Sequence, residues 1–363
     1  MGVDVSVILP CRNEELTIGK CIQQIKYVFK KNKIKGEIII SDSSVDSSPD
    51  IAEEHNVKLI KHDKNGYGIA ILEGIKKASG KNIIIGDADG TYDFSEIPLF
   101  LEKLKENDLV IGSRLKGDIK KGAMPFIHRY IGNPLLSFIL NMFFRTKISD
   151  AHSGFRAIRK KSLEKLELKT TGMEFASEMI IKAAKNNLDI SEVPISYYPR
   201  LGKSKLNSFS DGWRHLRFML MFSPTYLFFI PGSLLFITGI IFLTFMLFGT
   251  FFIAGNDIGL YITALSSLLS ILGYQIINLG LYSRIYATHT GFEKTDKLID
   301  FIAEKIPLER GILLGFIILL IGLFNLRKLE YANILFAITI FIIGIQTIFS
   351  VFFISMMVVE KRE

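Results

Sequence analysis

The chain has 363 residues; 49% are hydrophobic, yet 22% are charged and the net charge is +8. All of the excess positive charge lies in residues 1–223, whereas 224–363 holds nine Lys+Arg against nine Asp+Glu and most of the long apolar runs. This excludes a wholly soluble chain, a disordered one and a bare channel with no extramembrane domain. Two cysteines, Cys11 and Cys21, exclude a disulfide scaffold and suit a reducing compartment.

The first apolar run, Val5–Leu9, is far shorter than the ~20 residues that span a bilayer. It reads as a buried strand, and no leader peptide is expected. Short apolar runs then alternate with amphipathic ones. Strands are predicted at 4–9, 37–41, 57–60, 82–86 and 108–112, and helices at 14–30, 49–55, 67–79 and 95–106. Ser48 before Pro49 marks a helix start. This alternation predicts a parallel, doubly wound α/β sheet, in which ligands bind beyond the carboxyl ends of the strands. The segments there are Pro10-Cys11-Arg12-Asn13-Glu14-Glu15, Asp42-Ser43-Ser44-Val45-Asp46-Ser47, Lys64-Asn65-Gly66-Tyr67-Gly68 and Asp87-Ala88-Asp89. Any one aspartate after a strand is as often a turn residue as a ligand; it is their joint placement that points to a site.

Asp87 and Asp89 stand at i and i+2, about 7 Å apart along an extended chain. One can bind a divalent cation while the other anchors a ribose or the metal's water shell. Carboxylate oxygens suit Mg²⁺ or Mn²⁺, which complete their coordination with substrate phosphates and neutralise charge on a departing diphosphate. No Gly-Lys-Ser/Thr follows Gly66-Tyr67-Gly68, which disfavours P-loop chemistry. No G-x-G-x-x-G follows the first strand, which disfavours a dinucleotide oxidoreductase.

Residues 114–161 carry 11 Lys+Arg against Asp118 and Asp150. Within them, the run Leu135–Phe144 has about 10 apolar residues, too short to span, with Arg129 before it and Arg145 after it; it reads as part of a helix, about 123–145, lying in the membrane interface. A core helix with a solvated basic face is the plainer alternative. Nucleic-acid binding does not fit the acidic strand ends or the adjoining apolar segments. A second interfacial helix is expected at 208–223, where Trp213, Arg214, His215 and Arg217 precede the first span.

Four apolar stretches follow, near 225–253, 259–282, 311–326 and 332–357. They predict an all-α domain, 224–363, of four membrane helices. The absence of strong ionisable groups inside them argues against an ion-coupled transporter. Gln275, Asn278 and Gln346 are polar exceptions that suit a helix interface. Arg284, Lys294, Lys297, Lys305 and Arg310 in the connection 283–310, with Lys361 and Arg362 in the tail, place the N-terminal domain in the cytoplasm, on the plasma membrane if the source is prokaryotic. Arg327 and Lys328 weigh the other way.

The motif series in this order, with Gly112-Ser113-Arg114 after the fifth strand, resembles glycosyltransferase family 2. The nearest likeness is to its dolichyl-phosphate mannose synthase and polyprenyl-phosphate glucose synthase branch. The likeness covers about residues 4–210. It implies a GT-A (Rossmann-like nucleotide-sugar) catalytic domain over 1–207. It also implies Pro10, Asn13, Glu14 and Asp42 around the nucleotide, with Gly66, Arg200 and Lys205 on the same substrate. Asp87 would lie at the nucleotide and Asp89 would be the main metal ligand. The family's Asp-Ala-Asp-Leu-Gln is here Asp87-Ala88-Asp89-Gly90-Thr91-Tyr92-Asp93, so Asp93 substitutes for the glutamine as a metal ligand. Arg114, Arg129, Asn133 and Ser204 would take the acceptor phosphate. Asp150 and Glu174 fall on the sugar and acceptor side.

A hydroxyl acceptor needs a positioned base, whereas a phosphate monoester, with a second pKa of about 6, is already anionic. The chain has no Glu-Asp dipeptide, the pattern that serves processive polysaccharide synthases of the family. The expected reaction is therefore inverting, metal-dependent transfer of glucose (from UDP-glucose) or mannose (from GDP-mannose) to a membrane polyprenyl or dolichyl phosphate. The expected partners are that nucleotide sugar, that lipid and the bilayer, with no nucleic acid; a homo-oligomer is left open. The alternatives are transfer to a lipid-diphosphate-linked oligosaccharide or glycan hydroxyl, and a non-catalytic lipid-carrier translocase or scaffold.

Overall fold

The structure, a computed structural model, describes residues 2–202, 208–249, 252–253, 256–289, 308–326 and 330–359. The chain forms two units, 1–222 and 223–363.

The first unit is built on strands β1 (Val5–Cys11), β2 (Gly36–Asp42), β3 (Lys58–Lys61), β4 (Asn82–Ile85), β5 (Leu109–Ser113), β6 (Arg156–Arg159) and β7 (Ile190–Pro194). Their order in the sheet is β3-β2-β1-β4-β6-β5-β7. Side-chain alternation sends Val5, Val7 and Leu9 of β1 into one core, against Ile18, Ile22 and Ile25 of helix α1 (Ile18–Lys31). Ile8 points the other way, into a second core with Ile71 of the helix Tyr67–Lys77, Ile83 and Ile85. Helices thus cover both faces, and β1 reads as a continuous apolar run because neither face meets water.

The first five predicted strands are present. The expectation of a wholly parallel sheet needs correction. β6 runs antiparallel between β4 and β5, with Ile85 opposite Arg156 and Ile111 also opposite Arg156. Four residues with arginine at each end carry no readable strand pattern. They form a buried strand because Ala157 enters one core and Ile158 the other. The buried Arg156 guanidinium is satisfied by the carbonyls of Ala151, Ser153 and Ala176, at 2.6–2.7 Å.

Between β5 and β6 a helix runs from Phe126 through a π-turn at His128–Gly132 into Asn133–Phe144. Ser137 and Leu140 are buried, whereas Phe126, Ile127, Tyr130, Ile131, Leu135 and Phe138 are exposed by half or more. The helix Ser208–Met221 belongs to this unit. His215 and Met219 are buried and Trp213 is exposed.

Among the described residues, the second unit holds four helices long and apolar enough to cross a membrane: Thr225–Phe245, Gly259–Thr288, Leu308–Asn325 and Tyr331–Met357. The first packs on the second, the third on the fourth, and the second on the fourth. Glycines set the contacts: a Cβ on Gly239 would stand 2.5 Å from the Ser270 nitrogen, and one on Gly273 2.3 Å from that of Phe236. Most charges used for the predicted orientation, Lys294, Lys297, Lys305, Arg327, Lys328, Lys361 and Arg362, lie outside the described residues.

Candidate active site

Three segments beyond β1, β2 and β3 enclose a cavity of about 390 Å³ lined by Arg12, Asn13, Ser43, Ser44, His62 and Asn65, among others. Its wall is tied by hydrogen bonds. The Ser44 hydroxyl donates to Asp42 Oδ1 at 2.6 Å and accepts the Asn13 amide at 2.7 Å; the Val45 amide donates to Asn13 Oδ1 at 2.9 Å. Asn13 sits in the left-handed region, φ 54°, which asparagine tolerates. Pro10, in register with Ser41, ends the wall from beneath. Asp42 is therefore buried as the brace of this cavity.

Asp87 and Asp89 follow β4. Asp89 is buried, and its Oδ1 accepts the Thr91 hydroxyl at 2.6 Å and the Thr91 amide at 3.0 Å. Its Oδ2 faces Arg200 Nε at 3.5 Å, too long for a good hydrogen bond. Arg200 also pairs with Glu14, so one guanidinium links Asp89 to the loop after β1. Asp87 Oδ1 is enclosed and has no hydrogen-bond partner. Burial, and then the charge of Asp89, push the Asp87 carboxyl up to about 7; Tyr67, Arg200 and Arg114 pull the other way without prevailing. The charge of one acid thus resists ionisation of the other, whose Oδ1 is left without a partner.

On the other side, Arg114 donates from Nε and Nη2 to Asp150 at 2.7 and 2.8 Å, and its backbone N–H also reaches Asp150. Both residues are buried, and the guanidinium stacks on Tyr197 with 5.2 Å to the ring centroid. The loop 149–155 is held from below by Glu192, which accepts the Ser149 and Asp150 amides. Gly154 abuts Asp87, and its N–H donates to the Tyr92 hydroxyl at 2.8 Å. Next to it the ring nitrogens of His152 and the hydroxyl of Ser153 are buried without partners. The His152 ring meets that of His215 edge-on, 4.3 Å between centroids. Burial and the charges of His215, Arg156 and Arg114 keep His152 neutral.

The predicted residues thus sort into groups. Asn13, Glu14, Asp42, Asp87, Asp89 and Arg200 share the rim of the sheet, and Arg114 and Asp150 adjoin it as one ion pair. Three expectations change. Asp93 caps the turn Phe94–Glu96, its carboxylate accepting the Ser95 amide and the Gln24 side chain, so it is turned to structural work and not to a metal. Arg114 has its fork filled by Asp150, which makes it a charge behind the site and not an open phosphate clamp. Gly66 serves packing: a Cβ there would meet the Thr171 carbonyl at 2.3 Å, and the close approach sets Tyr67 beside Asp87.

Arg129, half-buried, stands over Tyr130 with 5.3 Å to the ring centroid, and Asn133 lies one turn on with its amide toward Met124 Sδ at 3.5 Å. Glu174 precedes the helix Phe175–Lys185 and folds toward Gly172. Glu178, which shares its spacing, is structural: it accepts the amides of Lys169 and Thr170 and pairs with Lys182. Ser204 and Lys205 lie outside the described residues. Tyr197, which stacks on Arg114, is a neighbour that the sequence did not single out; a lone aromatic residue after a strand carries no spacing signal.

A polar cavity beyond β1–β3, an acid pair at the end of a central strand and a buried arginine–aspartate pair thus gather at one edge of an α/β sheet. Residues 6–167 match the glycosyl transferase family 2 model, and residues 281–358 match the glycosyltransferase family 2 C-terminal transmembrane region. The low-salt glycan biosynthesis hexosyltransferase Agl6 of Haloferax volcanii is 38% identical over 96% of this chain and 87% of its own. The dolichyl-phosphate hexose transfer enzyme of the same organism is 30% identical over 58% of this chain and 89% of its own. Among solved structures, glucosyl-3-phosphoglycerate synthase of Mycobacterium tuberculosis with Mn²⁺, UDP and product aligns with TM-score 0.48 and 20% identity, over 61% of this chain and 79% of that one. The chain belongs to glycosyltransferase family 2. It is a membrane glycosyltransferase with a GT-A-like α/β domain.

Proposed function

We propose that the protein transfers a hexose from a nucleoside diphosphate sugar to the phosphate of a membrane polyprenyl or dolichyl lipid, with the catalytic unit on the cytoplasmic side. The observation that carries this reading is the orphaned Asp87 Oδ1 beside Asp89 at the end of β4. Mg²⁺ or Mn²⁺ suits that donor set. Among the described residues no group of three or more His, Cys, Asp or Glu could hold an ion, so substrate phosphates and water would have to supply its other ligands. Bound there, the ion would neutralise the leaving diphosphate. Asp89 and Asp87 would hold it, the Asn13–Ser44–Asp42 cavity would take the nucleoside, and Arg200 would move from Asp89 to the diphosphate.

The acceptor side supports a phosphate nucleophile. Asp150, the carboxylate in the loop beside Asp87, is locked bidentately to Arg114, a poor state for a base that must collect a proton. A lipid phosphate oxygen needs none: it attacks the anomeric carbon as the bond to the diphosphate breaks, with inversion. Arg129 and Asn133 would hold the phosphate, with the exposed apolar face of 126–138 immersed at the bilayer surface. His152, Ser153 and Glu174 leave hydrogen-bonding groups for sugar hydroxyls.

The test uses purified protein, polyprenyl phosphate and a panel of radiolabelled donors that includes UDP-glucose and GDP-mannose. A chloroform-soluble labelled product is expected with one donor and should vanish in Asp89→Ala. No lipid-linked label with any donor, or undiminished label in Asp89→Ala, refutes the proposal.

A further inference from the structure

The helices Gly259–His289 and Tyr331–Val359 border a cleft of about 520 Å³ lined by Gln275, Asn278, Tyr282, Gln346, Ser350 and Phe353, among others. Gln275 is exposed, Asn278 and Gln346 are half-buried, and Gln346 Oε1 is enclosed without a hydrogen-bond partner. Neighbouring hydroxyls are satisfied inside the unit: Tyr282 donates to Ser350 at 2.6 Å, and Tyr274 and Thr347 meet at 2.6 Å. The Gln346 Oε1 is the exception, and Gln275 and Asn278 set two further carboxamides in the same lining.

Their depth makes this consequential. Gly280 packs on Phe228 at the start of the first membrane helix, and Gly311 on Val351 near the start of the third. Gln275 and Gln346 therefore lie five residues farther into the bundle than those levels, about 7 Å at the helical rise. They belong to hydrocarbon, where a polar group without a partner is costly. An acyl or isoprenoid chain fills volume but offers no hydrogen bond. An anionic headgroup would need a cation, and the lining has none. A carboxamide carries both donor and acceptor, so an identical surface complements it.

We propose that this cleft is an isologous interface with a second copy of the chain. Gln275, Asn278 and Gln346 pair across the two-fold axis, and the exposed rim residues Leu279, Phe349 and Met356 fill the partner's cleft. The interface does not depend on which sugar or lipid the enzyme uses.

Cys11 and Cys21 are buried, with burial raising both thiols to about 12, so an added cysteine in the membrane unit reacts without background. In nanodiscs reconstituted with excess lipid, Phe349→Cys should cross-link to a dimer. Phe316→Cys, exposed on the third helix, should not. Replacing Gln275, Asn278 and Gln346 together by Leu should lower the Phe349→Cys cross-linked fraction about tenfold. An unchanged elution profile and melting curve for the triple variant guard against misfolding. The proposal is overturned if the parent is monomeric by light scattering, if both cysteine positions cross-link alike, or if the triple variant cross-links as well as its parent. It is likewise overturned if native mass spectrometry finds a monomer with one retained lipid that the triple variant loses.

Discussion

Replacing Asp87 by Asn removes a charge that the fold resists while keeping the side chain's shape. Its carboxyl is raised from 3.8 to about 7, by burial first and by Asp89 second. A raised acid destabilises the fold at every pH above its unfolded value, because ionising it costs more in the folded chain than in the unfolded one. That penalty is absent below about pH 4, grows through the window between 4 and 7, and is complete above 7. At about 1.4 kcal/mol per unit it reaches at most about 4 kcal/mol at pH 8 and less than about 2 kcal/mol at pH 5. For a unit of this size, each kcal/mol moves the midpoint by about 2–4 °C. Asp87→Asn should therefore melt higher than the parent in EDTA-containing buffer at pH 8, by no more than roughly 8–16 °C, and the gain should shrink by more than half at pH 5. Scanning fluorimetry of the detergent-purified protein at both pH values reads this directly. Added Mn²⁺ should raise the parent's midpoint at pH 8 and leave the variant's nearly unchanged. The reasoning fails if the variant is the less stable at pH 8 in EDTA, or if its advantage is equal at the two pH values.

Two other perturbations probe the acceptor side. Asp150→Asn leaves a buried guanidinium without its counter-charge and should destabilise the catalytic unit by about 3–5 kcal/mol, read as a lower melting midpoint; an unchanged midpoint would show that the pair is not structural. Ile131→Glu with Leu135→Glu places charge on the exposed apolar face and should raise KM for the lipid acceptor in liposomes at least about tenfold with little change in KM for the donor. Equal effects on both substrates would detach that face from the membrane.

The sheet strands up to Ser113 were legible because each is an apolar run ending in polar residues, and the four membrane helices were legible from length and hydropathy. The strand Arg156–Arg159 was not, since it pairs with β4 and β5, both distant in sequence, and its arginines disguise it. The same holds at the site. Asp87, Asp89, Asn13 and Asp42 follow predicted strands, so topology alone gathers them. The capture of Arg114 by Asp150, the diversion of Asp93 to a turn and the approach of Tyr67 to Asp87 depend on loops crossing from elsewhere. Spacing along one chain carries no record of that.

The backward strand has one more result. Because β6 begins where β4 ends, Arg156 opposite Ile85, the loop 149–155 emerges beside Asp87 from the same ladder that carries the acid pair. Everything between β5 and β6 is thereby an inserted cassette, anchored at the rim but sharing no strand with the Asn13–Ser44–Asp42 cavity. On the proposed function, such a cassette can be lengthened, greased or recharged to suit a different acceptor while the grip on the donor keeps its geometry.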